Sequence, residues 1–453
     1  LLNRSASRQT NQGLSGQFTL NADRHRLTAG LGYDASRTRF VQSSQFGYLN
    51  PDRSITPVNF YADGRELDDS GLPVDSRVDL SGRTRTWSLF ASDSIALHEH
   101  WQLTVSARYN TTRMTLRDHL SPGGGAGSLD GDHRFSRLNP AAGLTFSPSP
   151  ALTAYLGYNE GSRTPTAIEL GCADPANPCS LPNSMAADPY LKQVVARTLE
   201  AGLRGKLAGD MRWNAGAFRT VNSDDILFVG TSTSAGYFTN FGKTLRQGLE
   251  FSLDGRLRRV DWYASYTWLQ ASFRSQACSL AENNSTRGTA PECTGGGQDD
   301  EILVRKGDRL PGLPAHSLKL GLAWRATDQL RLGADLQAFS SQLLRGNENN
   351  SHRPGTYTDV NGETRTFDGP GKVGGYAVLN LNAEMGLGGG WQAFARINNL
   401  FDRRYASGGA LAENPFVGGS FQANSDHWRR ESFVAPGAPR AAWVGVRYSF
   451  GGR

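Results

Sequence analysis

Apolar and polar residues alternate along most of the chain, and this alternation predicts β-strands. In residues 318–324 every second residue is leucine or tryptophan, and the residues between them are lysine, glycine and alanine. Residues 330–338 repeat the pattern after a short turn, and residues 440–450 repeat it with an apolar row that ends in Tyr448 and Phe450. Successive side chains of a strand point to opposite faces of a sheet. One lipid-facing row and one water-facing row predict an outer-membrane β-barrel.

Fifteen segments carry this pattern, and short turns rich in Gly, Asp, Pro and Asn alternate with long polar segments between them. Outer-membrane barrels have short periplasmic turns and long extracellular loops. The sequence therefore predicts an all-β fold, a transmembrane antiparallel up-and-down β-barrel. The predicted strands lie at residues 12–20, 25–42, 79–97, 101–117, 134–147, 151–162, 192–207, 211–230, 236–257, 261–275, 312–326, 329–344, 374–387, 391–406 and 440–450.

Two further patterns refine this prediction. Four tryptophans lie within a few residues after a short turn, and this shared offset favours an interfacial aromatic girdle over four ordinary core residues. In one long loop, Asn361-Gly362 lies between threonine-rich arms at 356–367 and predicts a hairpin outside the barrel. The four tryptophans are Trp101, Trp213, Trp262 and Trp391.

Composition agrees with a barrel and argues against other classes. The 453 residues are only 38% hydrophobic, and no apolar run approaches the roughly 18 residues of a membrane-spanning helix. The mean hydropathy of −0.47 is low, as expected if every second strand residue faces water. The net charge is +6, but the arginines are scattered singly, without a basic helix or zinc spacing. We therefore expect no nucleic-acid partner.

The four cysteines lie in two long loops. Cys172 and Cys179 share one loop, and Cys278 and Cys293 share the other. Four cysteines allow three pairings, and closeness along the chain favours Cys172–Cys179 and Cys278–Cys293 as disulfides of an oxidising compartment. A four-cysteine zinc site is the alternative, but neither loop has the C-x-x-C spacing of such sites.

Several segments resemble TonB-dependent outer-membrane receptors. INNLFDRRYASGG at 397–409, followed by PGAPRAAWVGVRYSF at 436–450, is similar to the family's penultimate and final strands. GYNEGSRTPTAIEL at 157–170 and DPYLKQVVARTLEAGLRG at 188–205 are similar to its mid-barrel segment. The chain departs from the family at Gln193-Val194, where Pro-Glu is common, and at its last three residues, which follow the usual terminal aromatic. The resemblance assigns structural motif positions to Asn399, Leu400, Phe401, Asp402, Tyr405, Tyr448 and Phe450.

The resemblance implies a barrel of 22 strands filled by an N-terminal plug domain. The fifteen predicted strands would be the last fifteen, because the first of them leads into a short turn. Residues 1–453 are therefore expected to be the C-terminal part of the barrel domain, with the plug, the TonB-binding segment and the first strands missing. The edge of the final strand would then be unpaired, and we expect the fragment not to transport on its own.

The function implied by the resemblance is TonB-energised uptake of a scarce ligand across the outer membrane of a Gram-negative bacterium. A ferric siderophore or similar metal chelate is the foremost ligand, and a passive porin is the alternative. The expected partners are outer-membrane lipid and lipopolysaccharide, the chelate, and the TonB complex. No Ser-His-acid constellation gathers the histidines, so we expect neither an enzyme nor a resident cofactor or metal.

Ligand contacts are predicted in one loop, NSDHWRRESF at 424–433. An aromatic residue beside two arginines could stack on an anionic chelate and neutralise it, although a solvated loop is the simpler interpretation. Asp299, Asp300 and Glu301 are interpreted as an exposed acidic turn rather than a calcium site. The candidate ligand residues are Asp426, His427, Trp428, Arg429 and Arg430.

Overall fold

Fifteen strands form one antiparallel sheet in the computed structural model. The structure describes residues 2–45, 47–57, 66–67, 73–124, 128–171, 179–180, 191–207, 209–232, 235–293, 300–358, 362, 364–424 and 427–450. The sheet strands are β1 (Leu2–Ala22), β2 (His25–Gln45), β3 (Pro73–His98), β4 (Trp101–Asp118), β5 (Gly131–Ser149), β6 (Leu152–Arg163), β7 (Val194–Lys206), β8 (Arg212–Ser223), β9 (Thr244–Leu257), β10 (Val260–Phe273), β11 (His316–Arg325), β12 (Leu330–Phe339), β13 (Tyr376–Gly388), β14 (Trp391–Asn398) and β15 (Ala441–Tyr448).

Each of these strands pairs with its neighbours in the sequence, so the sheet is a simple up-and-down meander. A two-residue strand, Glu66–Leu67, adds to the side of β3. Within the described part of the chain, β1 and β15 end the sheet and nothing pairs with their outer edges. The number, order and direction of the fifteen strands confirm the fold predicted from the alternation, and the short turns lie where they were predicted. Of the described residues, no helix is both long enough and apolar enough to cross a membrane.

The register places the apolar rows on one face of the sheet, which we call the apolar face, and the polar rows on the other, the polar face. On β11 and β12, Leu322 lies opposite Ala334 and Trp324 opposite Leu332. On β14 and β15, Ala395 lies opposite Val444, whose side chain is 83% exposed. The predicted division into two faces is therefore confirmed.

The four tryptophans after the short turns all lie on the apolar face, as predicted. Their cross-strand partners are Phe146 for Trp101, Leu253 for Trp213, Leu322 for Trp262 and Tyr448 for Trp391. A second set of aromatic side chains lies farther along the same face, where Tyr33 and Trp87 have ring centroids 4.6 Å apart.

On β4 the two aromatic levels are marked by Trp101 and Tyr109, both on the apolar face. The two residues are eight positions apart, which is about 27 Å along the strand. A strand tilt of about 40° reduces this to a height of roughly 21 Å, close to the apolar band of an outer-membrane barrel. The apolar face therefore has the dimensions needed to meet lipid.

The sheet curls with its polar face inward. The Arg53 guanidinium, in the loop after β2, lies 5.0 Å from the ring centroid of Phe416, in the loop after β14. A flat sheet would hold β2 and β14 about 58 Å apart, at about 4.8 Å per strand. On the polar face, Phe40 of β2 and Leu116 of β4 belong to one buried cluster with Val194 of β7. The loops from the two ends of the sheet therefore meet over a concave interior.

Two predicted strands, 211–230 and 236–257, are shorter in the sheet than the alternation suggested. β8 ends before Asp224 and β9 begins after Gly242, and both of these residues have positive φ, 52° and 99°. The residues between them form a separate hairpin, Ile226–Ser232 with Ala235–Asn240, which pairs with Cys179–Ser180. The turn is held by Asp225, which accepts hydrogen bonds from the side chains of Thr244 and Arg246.

A second loop sheet lies outside the main one. Gly355–Thr358 pairs with Thr364–Phe367, which confirms the predicted hairpin. Phe367 then bridges to Arg430 in Arg429–Pro436, and that strand pairs with Ala406–Asn414. The loops before β13 and before β15 are thereby joined into one layer.

The predicted strand at 391–406 also ends early, because a corner follows Asn398. Asn399 and Asp402 have positive φ of 50° and 49°, a conformation that asparagine and aspartate tolerate. The buried Asn399 side chain donates to the carbonyl oxygens of Arg403 and Ala438, both at 3.0 Å. The Asp402 carboxylate accepts the backbone N–H of Arg440 at 2.9 Å. The Asn-Leu-Phe-Asp motif therefore holds the end of β14 and the start of β15 together through side-chain hydrogen bonds to the backbone.

The tyrosine of the same motif completes the corner. The Tyr405 ring stacks on Tyr376 of β13 with centroids 4.4 Å apart. Its other side lies against Gly437, where an added Cβ would come within 2.1 Å of the Tyr405 ring. Leu400 donates its backbone N–H to Leu379 at 2.8 Å, and Phe401 is exposed. Only a residue without a side chain fits at 437.

We predict that Gly437→Ala lowers the stability of the folded protein. A methyl group at this position forces Tyr405 off Tyr376, and such overpacking costs about 1–3 kcal/mol. The matched control is Gly408→Ala, because an added Cβ there meets nothing within 4 Å. Thermal unfolding in detergent, followed by the loss of heat-modifiable migration on gels, compares the two variants. Equal midpoints for both would show that the contact is not needed.

Candidate functional site

A short helix folds inward at the loop end of the polar face. It is α1 (Ala167–Gly171), and Thr166 and Glu169 cap it reciprocally. The Thr166 hydroxyl accepts the Glu169 N–H at 3.1 Å, and the Glu169 carboxylate accepts the Thr166 N–H at 2.7 Å, the pattern of a capping box. Arg163 donates to both oxygens of the same carboxylate, at 2.7 and 3.0 Å. The Ser-Arg-Thr-Pro segment therefore fixes where the loop leaves β6.

The apolar side of α1 covers part of the interior. Leu170 is fully buried and packs with Leu80 and Leu116 on the polar face of β3 and β4. Burial of such side chains is the main stabilising contribution available to a short helix, which is marginal alone. The helix α1 is therefore folded onto the wall formed by β3 and β4 and covers part of the mouth of the interior.

Two other loops, after β10 and after β12, are joined by buried asparagines and one histidine. Asn284 of the first loop donates to the Gly346 carbonyl of the second at 2.7 Å, and within the second loop Asn347 donates to the Gly371 carbonyl at 3.0 Å. His352, 1% exposed, accepts the Ser285 backbone N–H on Nδ1 at 3.1 Å. Because buried polar groups are costly unless paired, these bonds specify one arrangement of the two loops. The mouth thus has a rigid rim.

A disulfide lies in the same rim. Cys278 and Cys293 are bonded, with Cα atoms 5.6 Å apart. Glu301 lies near both sulfurs, but a bonded sulfur offers no thiolate for zinc. Cys172 and the side chain of Cys179 lie outside the described residues, so their pairing stays a prediction. Asp299 is also outside them, while Asp300 pairs with Arg287 and lies 3.8 Å from Arg365.

The wall of the interior near the short turns is lined by paired charges. Asp261 of β10 accepts hydrogen bonds from Arg256 of β9 at 2.6 Å and from Arg325 of β11 at 3.3 Å. Farther along, Arg212 pairs with Asp254 at 2.7 Å. Each pair joins neighbouring strands, and their side chains line one concave surface. Such a wall suits a hydrated polar partner rather than an apolar one.

The structure places the predicted ligand loop beside the loop sheet, with Asp426 outside the described residues. Trp428 donates its indole N–H to the Gln422 carbonyl at 2.8 Å, and the backbone N–H of His427 donates to Asn424 at 3.1 Å. The indole is thus used in folding the loop.

The two arginines of this loop have different surroundings. Arg430 is only 16% exposed and pairs with Glu413 at 3.1 Å, whereas Arg429 is 52% exposed and pairs with Asp368 at 3.2 Å. Arg429 is therefore the more accessible cation. These carboxylate partners were not predicted, because they lie on other strands and leave no local signal in the sequence.

We predict that the rim loosens as the pH falls through the ordinary histidine value of about 6.5. Burial lowers the pKa of His352, and the nearby charge of Arg353 acts in the same direction. The folded state therefore binds fewer protons than the unfolded state at pH values between the two pKa values of His352. The stability that neutral His352 contributes is fully present above its pKa in the unfolded state, and it is lost as the pH falls toward its lower pKa in the folded state. Hydrogen exchange of the Ser285 amide, corrected for its intrinsic rate, measures the change.

The control for this prediction is a pair of variants. His352→Gln should remove the pH dependence of the Ser285 amide, because glutamine does not titrate. His98→Gln, at an exposed turn, should leave it unchanged. Equal pH dependence in all three proteins would show that His352 is not the group responsible.

Comparison with known proteins gives one family match and many solved structures of the same fold. The family model for the TonB dependent receptor-like β-barrel matches residues 2–400. The siderophore receptor PiuA from Acinetobacter baumannii is similar at 17% identity, over 98% of this chain and 56% of that chain, with a TM-score of 0.63. The ferric yersiniabactin uptake receptor FyuA from Yersinia pestis is similar at 14% identity, over 99% and 55%, with a TM-score of 0.60.

The copper transporter OprC is similar at 17% identity, over 98% of this chain and 57% of that chain, with a TM-score of 0.61. The chain therefore spans little more than half the length of the solved structures it matches. At these identities the likeness concerns the fold, whereas the family model covers most of the chain. The chain belongs to the TonB-dependent receptor-like β-barrel family.

Proposed function

We propose that the full-length protein is an outer-membrane receptor of a Gram-negative bacterium that takes up a metal chelate with energy from the TonB complex. The observation that carries the proposal is the family match over residues 2–400, on a sheet whose polar face encloses an interior narrowed by folded loops. The foremost ligand is a ferric siderophore or a similar chelate. Recognition and gating are the whole chemistry, so no bond of the ligand has to be made or broken.

The domain arrangement is part of this proposal. Residues 1–453 would be the C-terminal part of the barrel, preceded by a plug and the first strands. The length of the chain relative to the solved structures supports this, as does the polar lining of the interior, which a plug would fill. In that arrangement the outer edge of β15 would pair with the first strand of the closed barrel, as a bilayer requires of every backbone edge.

The charged interior wall suits a plug that has to move. Ion pairs exposed to water contribute about 0–1 kcal/mol each. Contacts between a plug and Asp261, Arg256 or Arg325 can therefore hold its position collectively yet be exchanged one at a time under force. An apolar wall would bind the plug too firmly for such a change.

The nature of the ligand is supported by the neighbours and by the rim. The similar structures are described as receptors for siderophores and ferric yersiniabactin and as a copper transporter, so metal cargo is common to them. Arg429 is paired with Asp368 but half exposed, and its guanidinium group offers accessible donors to an anionic chelate at the loop layer. A passive porin is the alternative, and it would need neither TonB nor a plug.

The test of the proposed function is uptake in iron-limited cells. Cells that express the full-length protein as their only receptor are given radioactive iron as ferric citrate or ferric enterobactin. We expect at least one such chelate to be accumulated, and accumulation to stop when the proton gradient is collapsed or TonB is deleted. Uptake that persists without TonB would support the porin instead, and a lack of uptake of any metal chelate in the panel would remove the chelate proposal.

We predict that Arg429→Gln weakens binding of the transported anionic chelate by about three- to tenfold, the effect of losing one partly exposed charge contact. Arg404→Gln is the matched control, since Arg404 is exposed in the same loop region. Binding to the full-length protein is measured by quenching of tryptophan fluorescence. Equal affinities of the two variants would remove Arg429 from the ligand site, and the uptake test would still stand.

A further inference from the structure

A group of arginines lies on the apolar face, on the loop side of the aromatic residues. On β2, Arg37 and Arg39 share the face of Tyr33, four and six residues farther along. On β3, Arg83 and Arg85 share the face of Trp87. These side chains point away from the polar interior, so they are not part of the proposed ligand path. A role outside the barrel is needed for them.

These arginines are also aligned across the strands. Arg37 lies directly opposite Arg83, and Arg85 lies directly opposite Arg113 of β4. At the next position of the sheet, Arg8 of β1 lies opposite Arg39. Like charges in directly opposed positions destabilise a sheet. Three such pairs on adjacent strands therefore need a compensating anion.

The protein itself supplies only part of that compensation. Arg39 pairs with Asp79 at 2.7 Å, and Arg113 pairs with Asp132. Within the part of the chain that the structure describes, Arg37, Arg83 and Arg85 have no carboxylate partner. The group lines a concave surface together with Thr115, whose hydroxyl group can also donate a hydrogen bond. The site thus has an excess of donors and of positive charge.

The height of the group on the face indicates which anion reaches it. Arg85 is two residues beyond Trp87, about 7 Å along the strand, and Arg37 is four residues beyond Tyr33, about 14 Å. Aromatic belts mark the level where lipid tails end and headgroups begin. The arginines therefore lie in the headgroup zone of the leaflet on the loop side. Guanidinium groups match phosphate geometry with two parallel hydrogen bonds.

We propose that Arg37, Arg83 and Arg85 form a binding site for the phosphate groups of lipopolysaccharide in the outer leaflet. The inference rests on the proposed outer-membrane location but not on the identity of the transported ligand. Bound phosphate would offset the repulsion between the opposed arginines and so stabilise β1–β4 in the membrane. The glycolipid would act as a structural partner of this side of the barrel.

The test compares lipid binding by two triple variants of the full-length protein in detergent. The site variant is Arg37→Gln, Arg83→Gln and Arg85→Gln, and the control carries Arg204→Gln, Arg396→Gln and Arg447→Gln on the polar face. The probe is bis-phosphorylated lipid A, titrated by native mass spectrometry. We expect the site variant to bind it about ten- to a hundredfold more weakly than the wild type, as for the loss of several charge-assisted contacts, and the control to bind it normally.

Three further arms identify the source of the phosphate. Lipid A without phosphates should bind the wild type as weakly as the site variant binds the intact lipid. Vesicles of phosphatidylglycerol and millimolar inorganic phosphate should compete poorly. Full competition by either would overturn the assignment to lipopolysaccharide, as would equal binding of phosphorylated and dephosphorylated lipid A.

Folding of the variants is followed by heat-modifiable migration. A triple Arg→Lys variant keeps the charges but loses the paired hydrogen bonds of the guanidinium groups, so it should bind lipid A more weakly than the wild type and more tightly than the glutamine variant. Binding by a folded lysine variant that equals that of the wild type would count against the proposal, even where the glutamine variant does not fold. Lipid A binding requires no TonB and no chelate. A failure here therefore leaves the uptake proposal intact, and a failure of uptake leaves this one intact.

Discussion

The ladder of backbone hydrogen bonds between sequence neighbours, with register shifts only near strand ends, is the constraint on which the rest of the structure depends. A strand that spans a bilayer cannot leave its N–H and C=O groups unpaired, so each strand has to run beside the next without interruption. From Leu2–Gln45 to Ala22–His25, the first two strands pair at every position. A ladder without a slip fixes which face each side chain occupies, because a shift of one residue would exchange the two faces. The division into an apolar exterior and a polar interior follows from that register alone.

This constraint explains what could be predicted from the sequence and what could not. Period-two alternation located fifteen strands, both faces and the tryptophan level, because each depends only on residues close together in the chain. The ends of β8 and β14 were misplaced, since alternation continues through Asp224 and Asn399. There the chain turns because of hydrogen bonds to distant partners, such as Ala438 for Asn399. The partners of the candidate site, Asp368 for Arg429 above all, are likewise set by the meeting of separate loops.

The loops show how the same chain builds a rigid rim on this scaffold. Their stability comes from a few buried features: the capped α1 on the wall of β3 and β4, the asparagine bonds between two loops, and one disulfide. None of these loop segments is long enough to fold alone, and each depends on the strands that it connects to hold its two ends in place. A rim of this kind keeps a fixed shape while exposed groups such as Arg429 remain accessible. The arrangement separates the part that specifies the fold from the part that can contact a ligand.

The arginines show most clearly how strand register brings residues that are far apart in the sequence into one charged group. Along the chain these residues form no basic helix or long basic run, which argued against a nucleic-acid surface. In the sheet, alternate positions of a strand face opposite sides, and this separates the arginines into two groups. Arg256 and Arg325 contact Asp261 on the polar face. Arg37, Arg83 and Arg85 lie together on the apolar face, without a carboxylate partner among the described residues. The two arginines of the first group share a carboxylate within the protein, so they can line a hydrated interior at little cost. The second group retains its charge at the level of lipid headgroups, where an external anion is the remaining means of balancing it. The same side chain therefore serves two environments, and the face on which it lies decides which one.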